Sequence, residues 1–191
     1  MINYTYNLER AKRLMRSFLK DNSYNIFKMF INQIGMTIFG ISLSFATSNN
    51  NTLFLLSSIF SVCFYMVLLY TMTWDIGYEE KIRIDAKRLK YNRFKGLYMS
   101  LVANIPNFII AILIIVGKYF KGVAGAFVIG SGAAGLLEGM YMGIVNVVFG
   151  FAPWSYLLIV LPAPIVCTVA YIVGVKGFRI LPPPKNEHSR E

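Results

Sequence analysis

Acidic side chains are scarce in this sequence and unevenly placed: of nine, only Glu138 lies between Asp85 and Glu187. Histidine is limited to His188, and the two cysteines, Cys63 and Cys167, both fall inside apolar runs. That excludes a His/Cys metal site and leaves the cysteines as small packing residues. There is no phosphate-cradling glycine loop and no nucleophile with a base at a useful spacing, so the sequence points to no catalytic residue, no metal and no cofactor. Charged residues make up only 15% of the chain, while 56% is hydrophobic and the mean hydropathy is +0.54, which is far from a soluble composition. A formal charge of +10 raises nucleic acid as a partner, but no zinc-finger spacing, RNA-binding signature or free basic helix supports one. The bilayer is the expected solvent.

What the chain does have is four long stretches free of Lys, Arg, Asp and Glu: Met29–Thr47, Leu53–Trp74, Leu97–Gly117 and Trp154–Val175. Each approaches or exceeds the roughly 20 apolar residues that cross a hydrocarbon core. The short connector "SNNN", Ser48–Asn51, makes the first two an antiparallel hairpin. The first reads as a retained span, because its polar lead of 28 residues and its long apolar run exceed signal-peptide dimensions.

Orientation follows from cations in short loops. Six precede Met29, seven lie in the second connector and four follow Val175, which leaves Lys118 and Lys121 for the other side. The expectation is an all-α polytopic protein of the cell membrane with both termini cytoplasmic. Its parts are an amphipathic segment (1–28), a membrane domain (29–175) and a tail (176–191).

Between Lys118 and Pro153 lies a Gly-rich stretch apolar enough to compete for the membrane. Counting it as a fifth crossing would move the tail cations outside, so it reads as a re-entrant or interfacial helical element broken near "GSG", Gly130–Gly132. Ten of the fourteen residues from Gly122 to Gly135 are Gly, Ala or Ser. Gly135, Gly139 and Gly143 then recur every fourth residue, which on one continuous helix gives a single close-packing face. Glu138 borders that face, with Asn146 two turns on. Two readings stay open for Glu138: solvated at the interface, which is the simpler expectation, or embedded with a partner or a task.

The other polar residues inside spans are Asn32 and Gln33, and the "NIPN" group of Asn104, Pro106 and Asn107. Amides beside a proline-freed carbonyl suit a cation or polar ligand, and they serve equally as interhelical glue. Glu138, Asn146, Asn104 and Asn107 are therefore the candidate polar site. Leu8, Ala11, Leu14, Met15, Phe18 and Leu19 share a helical face opposite Arg10, Arg13, Arg16 and Lys20, which is expected to lie on the anionic inner leaflet or to dock a partner. In the second connector, Glu79–Arg83 and Asp85–Arg88 have ion-pair spacing.

Two function classes fit. The first choice is a non-enzymatic accessory, assembly or interaction subunit that works through its basic cytoplasmic surface and through helix contacts at the glycine face, whose neighbour is the same chain, another copy or another protein. The other is a transporter or channel subunit with a polar path through Glu138 and the Asn104/Asn107 pair.

Overall fold

The computed structural model describes residues 2–178, except for the side chains of residues 2–6, 8, 11, 121 and 124. The tail residues Arg179, Lys185, His188 and Arg190 lie outside the described residues, as do the side chains of Leu8 and Ala11. The described chain is helical and has no strand: α1 (Ile2–Thr47), α2 (Asn51–Asp85), α3 (Lys95–Ala103), α4 (Ile105–Tyr119), α5 (Ala124–Leu137), α6 (Met142–Val147), α7 (Ser155–Val160) and α8 (Pro162–Lys176). A 3-10 turn, Gly139–Tyr141, joins α5 to α6.

Three helical stretches are long and apolar enough to cross a membrane: Lys12–Thr47, Asn51–Asp85 and Ser155–Lys176. Two bent pairs pass the same test if each is taken together: α3 with α4, bent by 55°, and α5 with α6, bent by 87°. The interior contains polar side chains such as Gln33, Thr37, Ser61, Thr73, Ser100, Asn107 and Glu138, while Ile38, Phe45, Phe60, Ile112, Val128 and Val169 face outward. An apolar exterior around a partly polar interior is the arrangement that lipid selects.

The amphipathic segment is not a separate helix. The sequence from Ile2 to Ile34 has no Gly or Pro, and the polar cluster at residues 21–23 is satisfied within the helix. Ser17 Oγ bonds the Asp21 carboxylate, Asn22 Nδ2 donates to the Phe18 carbonyl and Ser23 Oγ to the Lys20 carbonyl. With nothing to break it, α1 runs unbroken for 46 residues. At 1.5 Å per residue this is about 69 Å, over twice the hydrocarbon thickness. Arg10, Arg13, Arg16 and Lys20 are exposed along it, and Leu14 and Met15 are exposed too. Phe18 instead meets Tyr98 of α3 edge to face at 6.0 Å.

The Ser48–Asn50 turn returns the chain directly. Asn50 caps α2, accepting from the backbone N–H of Thr52 and Leu53 at 2.9 and 3.3 Å. α2 also outruns its expected end at Trp74, because nothing stops it before Ala86 and the left-handed Lys87 (φ 57°). The third span breaks at Asn104, where Pro106 sits at the start of α4 and cannot continue the α3 hydrogen-bond ladder.

α5 runs back beside α4. A Cβ on Gly117 would run into the backbone at Phe127, and one on Gly130 would meet Ile114. At the opposite end of the bundle, α8 crosses α2 with backbone nearly in contact: a Cβ on Gly174 would overlap the Trp74 carbonyl oxygen, and one on Gly77 would overlap that of Tyr171. Gly96 of α3 is equally tight against the Cys167 carbonyl of α8. Small residues thus bring three helices into backbone proximity at the end that carries the α2–α3 connector.

Candidate functional site

The bend between α5 and α6 builds the site. α5 ends at Leu137, whose carbonyl oxygen accepts two side-chain donors from α1: Gln33 Nε2 at 3.1 Å and Thr37 Oγ1 at 2.9 Å. Those bonds replace the intrahelical partner that the carbonyl loses when the helix stops. Thr37 and Gln33 lie ten and fourteen residues from the end of α1 at Thr47, which sets the break about 15–21 Å below the α1–α2 turn. The chain then climbs back. Met140 meets Gly40, and the Gly143 N–H donates to Ser58 Oγ at 2.8 Å near the start of α2.

Glu138 stands at the turning point, 2% exposed, and neither carboxylate oxygen has a hydrogen-bond partner. Tyr141 and Tyr156 lie within electrostatic range of it. It caps the C-terminal end of α5, where carbonyl dipoles point their negative ends toward it. An ionised carboxylate left bare here costs several kcal/mol. A proton or a bound cation removes that cost.

The solvated reading of Glu138 is therefore not what the structure adopts, and the single glycine face is not formed. Its periodicity presumes a continuous helix, whereas the 87° bend falls between Gly135 and Gly139. Gly139 packs on Ile41 and Thr37, and Gly143 on Phe54 and Ser58, both within the chain. A Cβ on Gly135 would have only the Met142 methyl near it, at 3.8 Å. The expected break at Gly130–Gly132 is likewise absent, because α5 runs through it. Asn146 is exposed and parted from Glu138 by the same bend.

Asn104 and Asn107 are buried and linked in series. Asn107 Nδ2 donates to Asn104 Oδ1 at 2.9 Å, and Asn104 Nδ2 donates to the Ser100 carbonyl at 2.8 Å and to Ser100 Oγ at 3.3 Å. Asn107 Oδ1 has no partner. The two amides at the kink thus satisfy each other and the Ser100 group, and one amide acceptor is left over.

A second polar centre was not legible in the sequence. Glu80, 8% exposed, pairs with Lys95 through Oε1 and accepts from Tyr171 OH at 2.6 Å through Oε2, joining α2, α3 and α8. The partner is fifteen residues away, so helix spacing gave no hint of it. Among the described residues the only ion pairs are this one and Lys12–Glu9, so Glu79–Arg83 and Asp85–Arg88 do not close. Among the same residues, no three of His, Cys, Asp and Glu gather as metal ligands. No protein-family model matches the chain, nor does any curated protein or solved structure.

The clamp on Leu137 can be tested by stability alone. Gln33→Leu or Thr37→Val is expected to cost about 0.6 kcal/mol, the average for a side-chain hydrogen bond within a membrane bundle. The double variant should exceed the sum, reaching about 2–3 kcal/mol, because the carbonyl is then left without a side-chain donor. Denaturant titration of the protein in mild detergent measures both.

Proposed function

We propose that the chain is a non-enzymatic transporter or channel subunit in which Glu138 binds the moving charge. The observation that supports this reading most strongly is the burial of a carboxylate with two unpartnered oxygens at a helix break. Ionisable groups at such depth are costly, and interrupted helices recur at transport sites. The topology that goes with it has four crossings (α1, α2, α3 with α4, α7 with α8), with α5 and α6 dipping in and out from the α1–α2 side. Both termini are then cytoplasmic in the cell membrane, with the cation-rich loops inside.

A second reading, an accessory or assembly subunit, is favoured by α1. Its amino-terminal half carries Arg10, Arg13, Arg16 and Lys20 with Leu14 and Met15 exposed by 65% and 62%, a surface suited to an anionic leaflet, a membrane-protein partner or another copy. Of the neighbours left open for Gly139 and Gly143, the same chain is the one they pack against, so they offer no surface for this role.

Glu138→Gln separates the two. On the transport reading it abolishes flux in reconstituted vesicles while the protein stays folded, with stability unchanged or raised by up to about 2 kcal/mol because a buried unpaired acid is gone. Unaltered flux in that variant, or a stoichiometric partner and no flux in the wild type, sinks the transport reading.

A further inference from the structure

The kink in the third span opens the surface of the bundle. α1 packs along α3, but the chain bends by 55° at Asn104 and α4 turns off to pack against α5 and α7. Where α1 and the kink diverge they leave a groove of about 310 Å³. Leu19, Ile26, Phe27 and Phe30 line one side of it, at the spacing of a single helix face, and Val102 and Pro106 line the other. Ser23 also lines it, but its hydroxyl already donates to the Lys20 carbonyl at 3.2 Å. The walls therefore offer apolar contact and no free hydrogen-bonding group. From Leu19 to Phe30 the groove follows α1 for about 16 Å, close to half of the roughly 30 Å hydrocarbon core and so to the depth of one leaflet.

The same helix face becomes basic at its amino-terminal end. Lys12 and Arg16 continue it, seven and three residues before Leu19, and Lys20 flanks it, three residues before Ser23. All three are exposed. Lys12 is held by Glu9 at 3.4 Å, whereas among the described residues Arg16 and Lys20 have no acidic partner. Asp21 falls on the opposite side of α1, where Ser17 bonds it. Phe18, between the two unpaired cations, meets Tyr98, and the third apolar stretch begins at Leu97. Arg16 and Lys20 thus stand where hydrocarbon gives way to headgroups, with the groove leading inward from them.

We propose that this groove binds one anionic phospholipid, its phosphate between Arg16 and Lys20 and one acyl chain laid between Phe27 and Pro106. The site depends on the membrane reading and is independent of transport through Glu138. Its two parts do different work. A hydrocarbon chain gains little by leaving the bilayer for an equally apolar wall, so the groove fixes position while the cations choose the headgroup. The Arg16 guanidinium can hold two phosphate oxygens at once, and each cation beside an anionic group is worth roughly fivefold in affinity. A second copy is the poorer occupant: a two-fold contact through this face would bring Arg16 and Lys20 toward the same cations of the partner.

The test titrates the purified full chain in neutral detergent with dioleoyl-phosphatidylglycerol or dioleoyl-phosphatidylcholine and counts bound lipid by native mass spectrometry. The wild type is expected to retain one phosphatidylglycerol and to bind phosphatidylcholine about tenfold more weakly or worse. Arg16→Gln combined with Lys20→Gln alters exposed positions only; it should weaken phosphatidylglycerol about 25-fold and erase the preference. Ser23→Trp fills the groove, leaves the cations in place and should release both lipids. Circular dichroism checks each fold, and Ser23→Leu replaces the tryptophan variant if that one loses helix. Equal binding of the two lipids by the wild type, or phosphatidylglycerol retained at full affinity by the cation variant or by the folded Ser23 variant, overturns the site. A lipid-free wild-type dimer that the Ser23 variant separates assigns the groove to a second copy and overturns it as well.

Discussion

Gly174→Leu is expected to unfold the connector end of the bundle. The obstacle is backbone on both sides, since a Cβ at Gly174 would overlap the Trp74 carbonyl oxygen and stand 3.1 Å from the Gly77 Cα. A flexible side chain could swing aside, but a helix axis cannot without undoing neighbouring contacts. Overpacking a membrane core costs about 1–3 kcal/mol where side chains can yield, and this site should lie at or above the top of that range. Gly132→Leu is the control, because nothing lies within 4 Å of a Cβ there and the helix gains propensity. Denaturant titration in mild detergent should show a large loss for the first and none for the second. Equal effects would mean that the α2–α8 contact is looser than described.

The ion pair between Glu80 and Lys95 should respond asymmetrically to its two halves. Lys95→Met leaves a carboxylate with only Tyr171 for company, 8% exposed, and is expected to cost about 3 kcal/mol, as when one side of a buried pair is removed. Glu80→Gln should cost less, because the Lys95 stem can turn its ammonium to water from a position where its side chain is already 16% exposed. The double variant should recover most of the loss, and a thermodynamic cycle over the four proteins gives the coupling. Additive losses would show that the two groups do not act as a pair.

Much of the fold could be read from one simple constraint: a charge-free run of sufficient length has few other places to go. That placed the α1–α2 hairpin and the apolar course of α3 with α4 and of α7 with α8. The limits at each end were harder to see. A change of composition at Lys28 and again after Trp74 suggested boundaries, but a helix ends where its backbone is broken, and neither position breaks it.

The site was half legible. Glu138, Asn104 and Asn107 stood out by chemistry, and all three are buried. Their geometry was not readable, because the break at Glu138 follows from Gln33 and Thr37 capturing a carbonyl about a hundred residues away. Once that break exists, the four-residue period linking Gly135, Gly139 and Gly143 loses its meaning, and so does the link from Glu138 to Asn146. Glu80 was hidden for a related reason: it sat among cations at tempting intervals, and the one it takes is in another helix.

The unbroken course of α1 puts three features on one rod: exposed cations at Arg10, Arg13 and Arg16, the edge-to-face contact of Phe18 with Tyr98 of α3, and the Gln33 and Thr37 donors that hold the turning point beside Glu138. The basic surface and the support of the buried acid therefore belong to a single continuous element of secondary structure.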